Sequence, residues 1–117
     1  MLTLPDNIAI YLYNQPIDMR KSINGLSILL ATKLSMQPKS GDLFVFRNKR
    51  GDKVKILHWN RNGFIVHYKC LEKGRFKFPK TIDNQLTLNK DQLTWLLAGL
   101  DFMLMAQYPE IDFTHYY

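Results

Sequence analysis

The chain is 117 residues long, 46% hydrophobic and 22% charged, a size and composition that fit one globular domain, 1–117, and exclude disordered or fibrous architectures. No apolar run reaches the roughly 18 residues that span a bilayer, and Met1 to Asp6 lacks the basic and apolar regions of a secretory signal; a cytoplasmic protein with no membrane partner is expected. The formal net charge of +6 is concentrated in the middle: between Lys39 and Lys80 twelve cations face Asp42, Asp52 and Glu72, a net of +9, and the remainder carries −3.

Such a basic middle fits a polyanion-binding surface, since Lys and Arg contacts to phosphate release condensed counterions, and it also fits a solvated sheet face that maintains solubility.

In chain order, Ile8 to Tyr13 is β-branched and aromatic and predicts a short strand closed by turn residues Asn14 to Pro16. Asp18 then caps a predicted helix whose apolar positions Met19, Ile23, Leu26, Leu30 and Leu34 step by three and four and stop before Pro38. Gly25 inside that helix points to a close approach by another element. From Asp42 the period becomes two. Leu43–Arg47, Lys53–Trp59 and Phe64–Cys70 read as strands joined by Asn48–Asp52 and by Asn60-Arg61-Asn62-Gly63, with Arg75–Phe78 as a fourth member of an antiparallel meander. Leu86–Leu88 adds a short strand. Asn89 and Gln92 form a capping box opening a second helix with Leu93, Leu96, Leu97, Leu100 and Leu104 on one stripe, ending near Tyr108 before Pro109. The aromatic tail from Ile111 to Tyr117 is expected to dock on the domain or bind a partner.

The fold expected is therefore α+β: a meander of about four to six strands with two helices, one sheet face packed by helix and the other basic. Alternation places Val54 and Ile56 opposite Lys53 and Lys55, and Phe76 and Phe78 opposite Arg75 and Lys77. It also groups Phe64, Val66, Tyr68 and Cys70, read as joining the apolar face, against His67 and Lys69, and it buries the Cys70 thiol. Trp59 falls with the lysines, either as a ring that stacks on a base or as a half-buried sheet residue.

Catalytic chemistry finds little support. The carboxylates are dispersed and mostly sit where caps and turns favour Asp, and no His stands beside a nucleophile. One cysteine and three histidines make neither a disulfide nor a metal set. No catalytic residue, metal or cofactor is expected. Two cationic constellations remain. Arg47, Lys49, Arg50, Lys53 and Lys55 occupy a two-stranded ribbon, a shape that the major groove admits. Arg20 and Lys21 open a helix whose free N–H groups suit a phosphate, or they are an ordinary solvated first turn. With Lys69, Arg75 and Lys77 they make up the candidate nucleic-acid-binding set.

Asp18-Met19-Arg20-Lys21-Ser22-Ile23-Asn24-Gly25-Leu26, the run from Gly41 to Leu57 and Tyr68-Lys69-Cys70-Leu71-Glu72-Lys73-Gly74-Arg75-Phe76 with Pro79 together resemble the TnpB accessory proteins, second-open-reading-frame products of bacterial insertion sequences of family 66. The resemblance runs from about Leu4 to Asp101, including Gln92-Leu93 and Gly99-Leu100-Asp101. Asn60 departs from it, standing where the family usually has an acidic residue, and residues 102–117 follow no family pattern. The resemblance implies a non-catalytic protein that assists transposition beside a separate transposase, with that transposase and other proteins of the element as partners. The basic ribbon adds the expectation of DNA, element ends or target, as a further partner. A protein-interaction module without DNA affinity and a metal-dependent nuclease are the competing readings.

Overall fold

The computed structural model describes residues 7–80 and 83–105. Leu43-Phe44-Val45-Phe46 are all buried, so this strand sends apolar side chains out of both faces and requires cover on both. It is β2 (Leu43–Arg47), the middle of a five-stranded sheet of order β4-β3-β2-β1-β5, with β1 Ile10–Pro16, β3 Lys53–Asn60, β4 Gly63–Cys70 and β5 Gln85–Leu88. Helix α1 (Ile23–Leu29), prolonged by a π-helical turn over Leu30–Leu34, lies in sequence between β1 and β2, and α2 (Lys90–Leu97) and α3 (Phe102–Met105) follow β5.

The β2–β3–β4 meander is antiparallel, as expected, and β5 is antiparallel to β1. Strand β1 instead runs parallel to β2, because the intervening helix returns the chain to the end of the sheet from which it left. The α+β class holds, with a mixed sheet. Arg75–Phe78 is not a strand. Leu71 N–H donates to the Asp52 carbonyl at 2.9 Å and Phe76 N–H to the Gly51 carbonyl at 2.8 Å, folding this segment over a sheet face, where Phe76 is buried. Alternation reports one-sided burial, which an irregular segment satisfies as well as a strand does.

Each face carries its own apolar cluster. Ile10, Leu12, Leu43, Val45, Val54 and Ile56 pack with Phe76, Leu93, Leu96 and Phe102. Phe44, Phe46 and Leu57 pack under Leu26 of α1 and Leu30 of the π-helical turn, with Phe64 and Val66 partly buried beside them. The expectation of one apolar and one basic face is thus corrected: both faces are apolar. The register explains the misreading. Asn60 pairs with Gly63 across the two-residue turn Arg61-Asn62, setting Leu57 opposite Val66, Ile56 opposite His67 and Val54 opposite Lys69. Phe64, Val66, Tyr68 and Cys70 therefore share a face with Lys53, Lys55 and Leu57. Alternation fixes sides within a strand, but the turn decides how two strands match, and a slip of one residue exchanges the faces.

Three local expectations also change. Helix α1 begins at Ile23 with Ser22 as N-cap, not at Asp18, whose carboxylate instead takes the Arg20 N–H at 2.9 Å. A Cβ on Gly25 would lie 3.2 Å from Lys21 Cβ and Cγ, one turn back in the same chain rather than on another element. Helix α2 has the expected capping box, Gln92 N–H to Asn89 Oδ1 at 2.8 Å and Asn89 N–H to Gln92 Oε1 at 2.9 Å. It stops at Leu97, because Gly99 takes φ +83° and closes the helix with its N–H on the Leu96 carbonyl. Asp101 then starts α3, accepting from the Met103 and Leu104 N–H groups. The stripe consequently breaks: Phe102 is buried while Leu100 and Leu104 are exposed. The expected helix end near Tyr108 and the aromatic tail lie outside the described residues.

Asn14, read as a turn residue, is the buried polar side chain of β1. Its amide donates to the Pro79 carbonyl at 3.1 Å, its Oδ1 accepts from Arg47 Nε at 3.3 Å, and its backbone N–H reaches the Asn84 carbonyl at 2.7 Å. It ties the segment after β4 to the sheet end. Replacing Phe44, fully enclosed beneath α1 and stacked on Tyr11 at 5.7 Å between centroids, by Ala is expected to cost about 3–5 kcal/mol in urea denaturation. Ile28→Ala, on the exposed side of α1, is expected to stay within about 0.5 kcal/mol.

Candidate nucleic-acid interface

One end of the sheet collects the ends of β1, β2 and β4 with the beginning of β3, since Pro16 pairs with Arg47, Arg47 with Val54 and Lys53 with Cys70. Most of the candidate cations lie on or beside this rim. The β2–β3 turn is organised by Asn48, whose Oδ1 accepts from the Gly51 and Lys53 N–H groups at 2.9 and 3.1 Å and whose amide donates to Asp52 at 2.6 Å. That amide holds the Asp52 carboxyl below its usual range, helped by the charges of Arg50 and Lys53. Gly51 is buried at φ +83°, a conformation that suits glycine, and Arg75 Cβ lies 3.9 Å from where its side chain would begin. The turn is therefore backed by the 71–76 segment and does not project as a free ribbon.

Within the rim the cations divide by what they already hold. Lys49, Arg50, Arg75 and Lys77 are exposed; Arg50 is 3.9 Å from Asp52, and the other three make no hydrogen bond or ion pair among the described residues. Lys21 is exposed and Lys53 is half-buried beside them. Arg20 forms a fork on Asp18, with contacts of 3.0 and 2.7 Å to Oδ2. The Arg20 hydrogen bonds pull the Asp18 carboxyl from 3.8 to about 2.

Three candidates serve the fold. Lys55 Nζ donates to the Met19 and Lys21 carbonyls at 2.6 and 2.8 Å and sits 5.1 Å from the Tyr68 ring. Lys69 lies on the opposite face and donates to the Leu97 carbonyl at 2.6 Å, at the negative end of α2. Arg47 is half-buried, bonded to Asn14 and placed over the Phe78 ring at 5.5 Å, and burial lowers its pKa from the ordinary arginine value. These three are engaged within the fold, which leaves them less available to a ligand than the exposed cations. Lys73 and Lys80 are exposed on the same 71–80 segment and belong to the basic run, though not to the candidate set.

The remaining chemistry-bearing groups are elsewhere. Trp59 is half-buried at the other end of β3, edge-on to Phe64 at 4.9 Å, with Lys39 Nζ 5.1 Å from its ring. Cys70, expected to be packed, is exposed because the register turns it away from Val54 and Ile56. Asp42 accepts the Ala9 N–H at 3.1 Å, joining the starts of β1 and β2. His67 is held below its ordinary pKa by burial and by His58. Among the described residues no three His, Cys, Asp or Glu side chains gather at metal-ligand spacing, and no helix is long and apolar enough to cross a membrane.

Comparison with known proteins agrees over most of the length. The family model described as IS66 Orf2 like protein matches residues 8–107. A protein of Sinorhizobium fredii named uncharacterized protein y4jC is 37% identical over 102 residues, 87% of each chain. A second from the same organism, uncharacterized protein y4hO, is 29% identical over 102 residues, 87% of this chain and 89% of its own. No solved structure matches the chain.

The geometry separates two lysines that are close in sequence. Lys55→Ala removes both bonds that pin the strand-to-helix connection and is expected to cost about 1–3 kcal/mol, whereas Lys49→Ala is expected to change stability by less than about 0.5 kcal/mol, each read by urea denaturation. An NMR titration of Asp18 should give a pKa of about 2, returning toward 3.8 in Arg20→Gln. Because the folded value is depressed, the associated stabilisation is present above the ordinary carboxylate pKa and is lost as pH falls through the folded one.

Proposed function

Since the chain belongs to the IS66 Orf2-like family, the accessory proteins of IS66-type transposition, we propose that it binds duplex DNA along the basic rim of its sheet and so assists assembly of a separate transposase on the element. The observation that carries this reading is the display of Lys49, Arg50, Arg75 and Lys77 on two segments joined by backbone hydrogen bonds. A backed rim presents cations side by side to a phosphate backbone, and the contact is electrostatic more than base-specific. Insertion of the turn into the major groove as a ribbon is disfavoured by the 71–76 segment behind it. Four of the described carboxylates, Asp18, Asp42, Asp52 and Asp101, are each engaged in a turn, bridge or cap, which favours an accessory role over a nuclease.

Titration of the purified protein against element-end and random duplexes at two salt concentrations tests the proposal. Log affinity is expected to fall with log salt, and changing Lys49, Arg50, Arg75 and Lys77 together to Ala should reduce that slope by as much as about 3–4 units, since each phosphate contact contributes about 0.9. Lys55 stays intact so that folding is preserved. No binding at low salt, or an unchanged slope in the variant, transfers the rim to protein contact within the transposition complex. Strand cleavage in Mg²⁺ would establish the nuclease reading instead.

A further inference from the structure

Strand β4 is the outermost strand on its side of the sheet, and no described segment pairs with its free edge. Proteins commonly protect such edges with short strands, proline, bulges or lysines. β4 has eight residues, no proline and unbroken register with β3 from Lys53 and Cys70 to Asn60 and Gly63. Its one lysine, Lys69, is drawn away to the Leu97 carbonyl. The opposite edge strand, β5, is four residues long and leads into the α2 cap. Two large apolar side chains stand out on β4, Ile65 at 37% and Tyr68 at 54% exposure.

We propose that β4 pairs with β4 of a second copy, antiparallel about a two-fold axis through Val66, joining the two sheets edge to edge. An axis perpendicular to the sheet keeps each face continuous, so only residues on the same face can be opposed. Centred on Val66, the α1 side opposes Val66 to Val66 and Phe64 to Tyr68 twice. The α2 side opposes Ile65 to His67 and Gly63 to Lys69. Aromatic and aliphatic pairs are the favourable cross-strand combinations, and no like charges meet. Centring on His67 would oppose two imidazoles, and centring on Ile65 would oppose Lys69 to Arg61, both unfavourable. Side-chain pairing favours the Val66 register over these two neighbours. The arrangement sends the two basic rims to opposite ends of the joined sheet, but it stands independently of DNA binding.

The lone cysteine supplies the test without altering the sequence. Cys70 is exposed, and in this register two Cys70 residues are separated by eight strand positions, about 27 Å along the strand direction. A spin label on native Cys70 should give a single distance distribution centred near that value by pulsed electron resonance, with a width set by the label arms, and sedimentation should show a dimer. Tyr68→Glu places its carboxylate beside Lys55 in the monomer but against Phe64 in the dimer, and should weaken association at least about tenfold with an unchanged circular dichroism spectrum. A monomer at every concentration overturns the proposal. A dimer with a much shorter label distance, or one insensitive to Tyr68→Glu, overturns it equally by placing the interface elsewhere.

Discussion

Everything in this fold follows from a strand that has no polar side. Four consecutive buried residues in β2 leave no face of the sheet for water, so one layer of helix is required under Phe44 and Phe46 and a second cover over Leu43 and Val45. The first is α1; the second is shared between α2, the start of α3 and the irregular segment containing Phe76. With both faces occupied, the sheet displays free cations mainly at its end and turns. The basic rim is the consequence of a doubly covered sheet.

The same constraint explains why some cations lie inside. Layers packed on both faces leave backbone carbonyls that need donors where the chain enters or leaves a helix. Lys55 supplies them on one face at Met19 and Lys21, and Lys69 supplies one on the other at Leu97. Each long side chain lies along apolar surface and delivers its ammonium group to a carbonyl beyond. Arg47 performs a related task in the sheet plane, bridging Asn14 and the Phe78 ring. Fold and charge are therefore coupled: a lysine count measures binding capacity only after the staples are subtracted.

Local patterns made much of this legible. The strands of the meander, the Asn89–Gln92 capping box and the leucine stripe of α2 are encoded by neighbours three or fewer positions apart, and sequence reasoning reaches them. What it missed depends on long-range partners. The facing of β4 against β3 turned on the two-residue turn at Arg61, not on alternation within either strand. Asn14 looks like a turn residue until Pro79, Asn84 and Arg47 converge on it. Lys55 and Lys69 carry no local mark of their roles, because their acceptors lie 28 or more positions away. The candidate site shares this limit: the basic stretch was visible, but its division into displayed and engaged cations required the fold.

The place of β1 sets an order on how the molecule can form as it is made. Strands β2, β3 and β4 are joined by tight turns and can zip together as soon as residue 70 is available, but β1 has been synthesised earlier and must wait beside them. Its parallel partner arrives only with β2, after the α1 crossover, and its other neighbour, β5, is more than 70 positions further along, Tyr13 pairing with Gln85 and Ile10 with Leu88. Until β5 is added, the β1 edge is open, and until α2 follows, Leu43, Val45 and Ile56 lack their cover. Late-closing pairings of this kind slow folding and expose strand edges in partly made chains. A nascent copy thus holds its apolar middle strand half-covered until its last helices emerge from the ribosome.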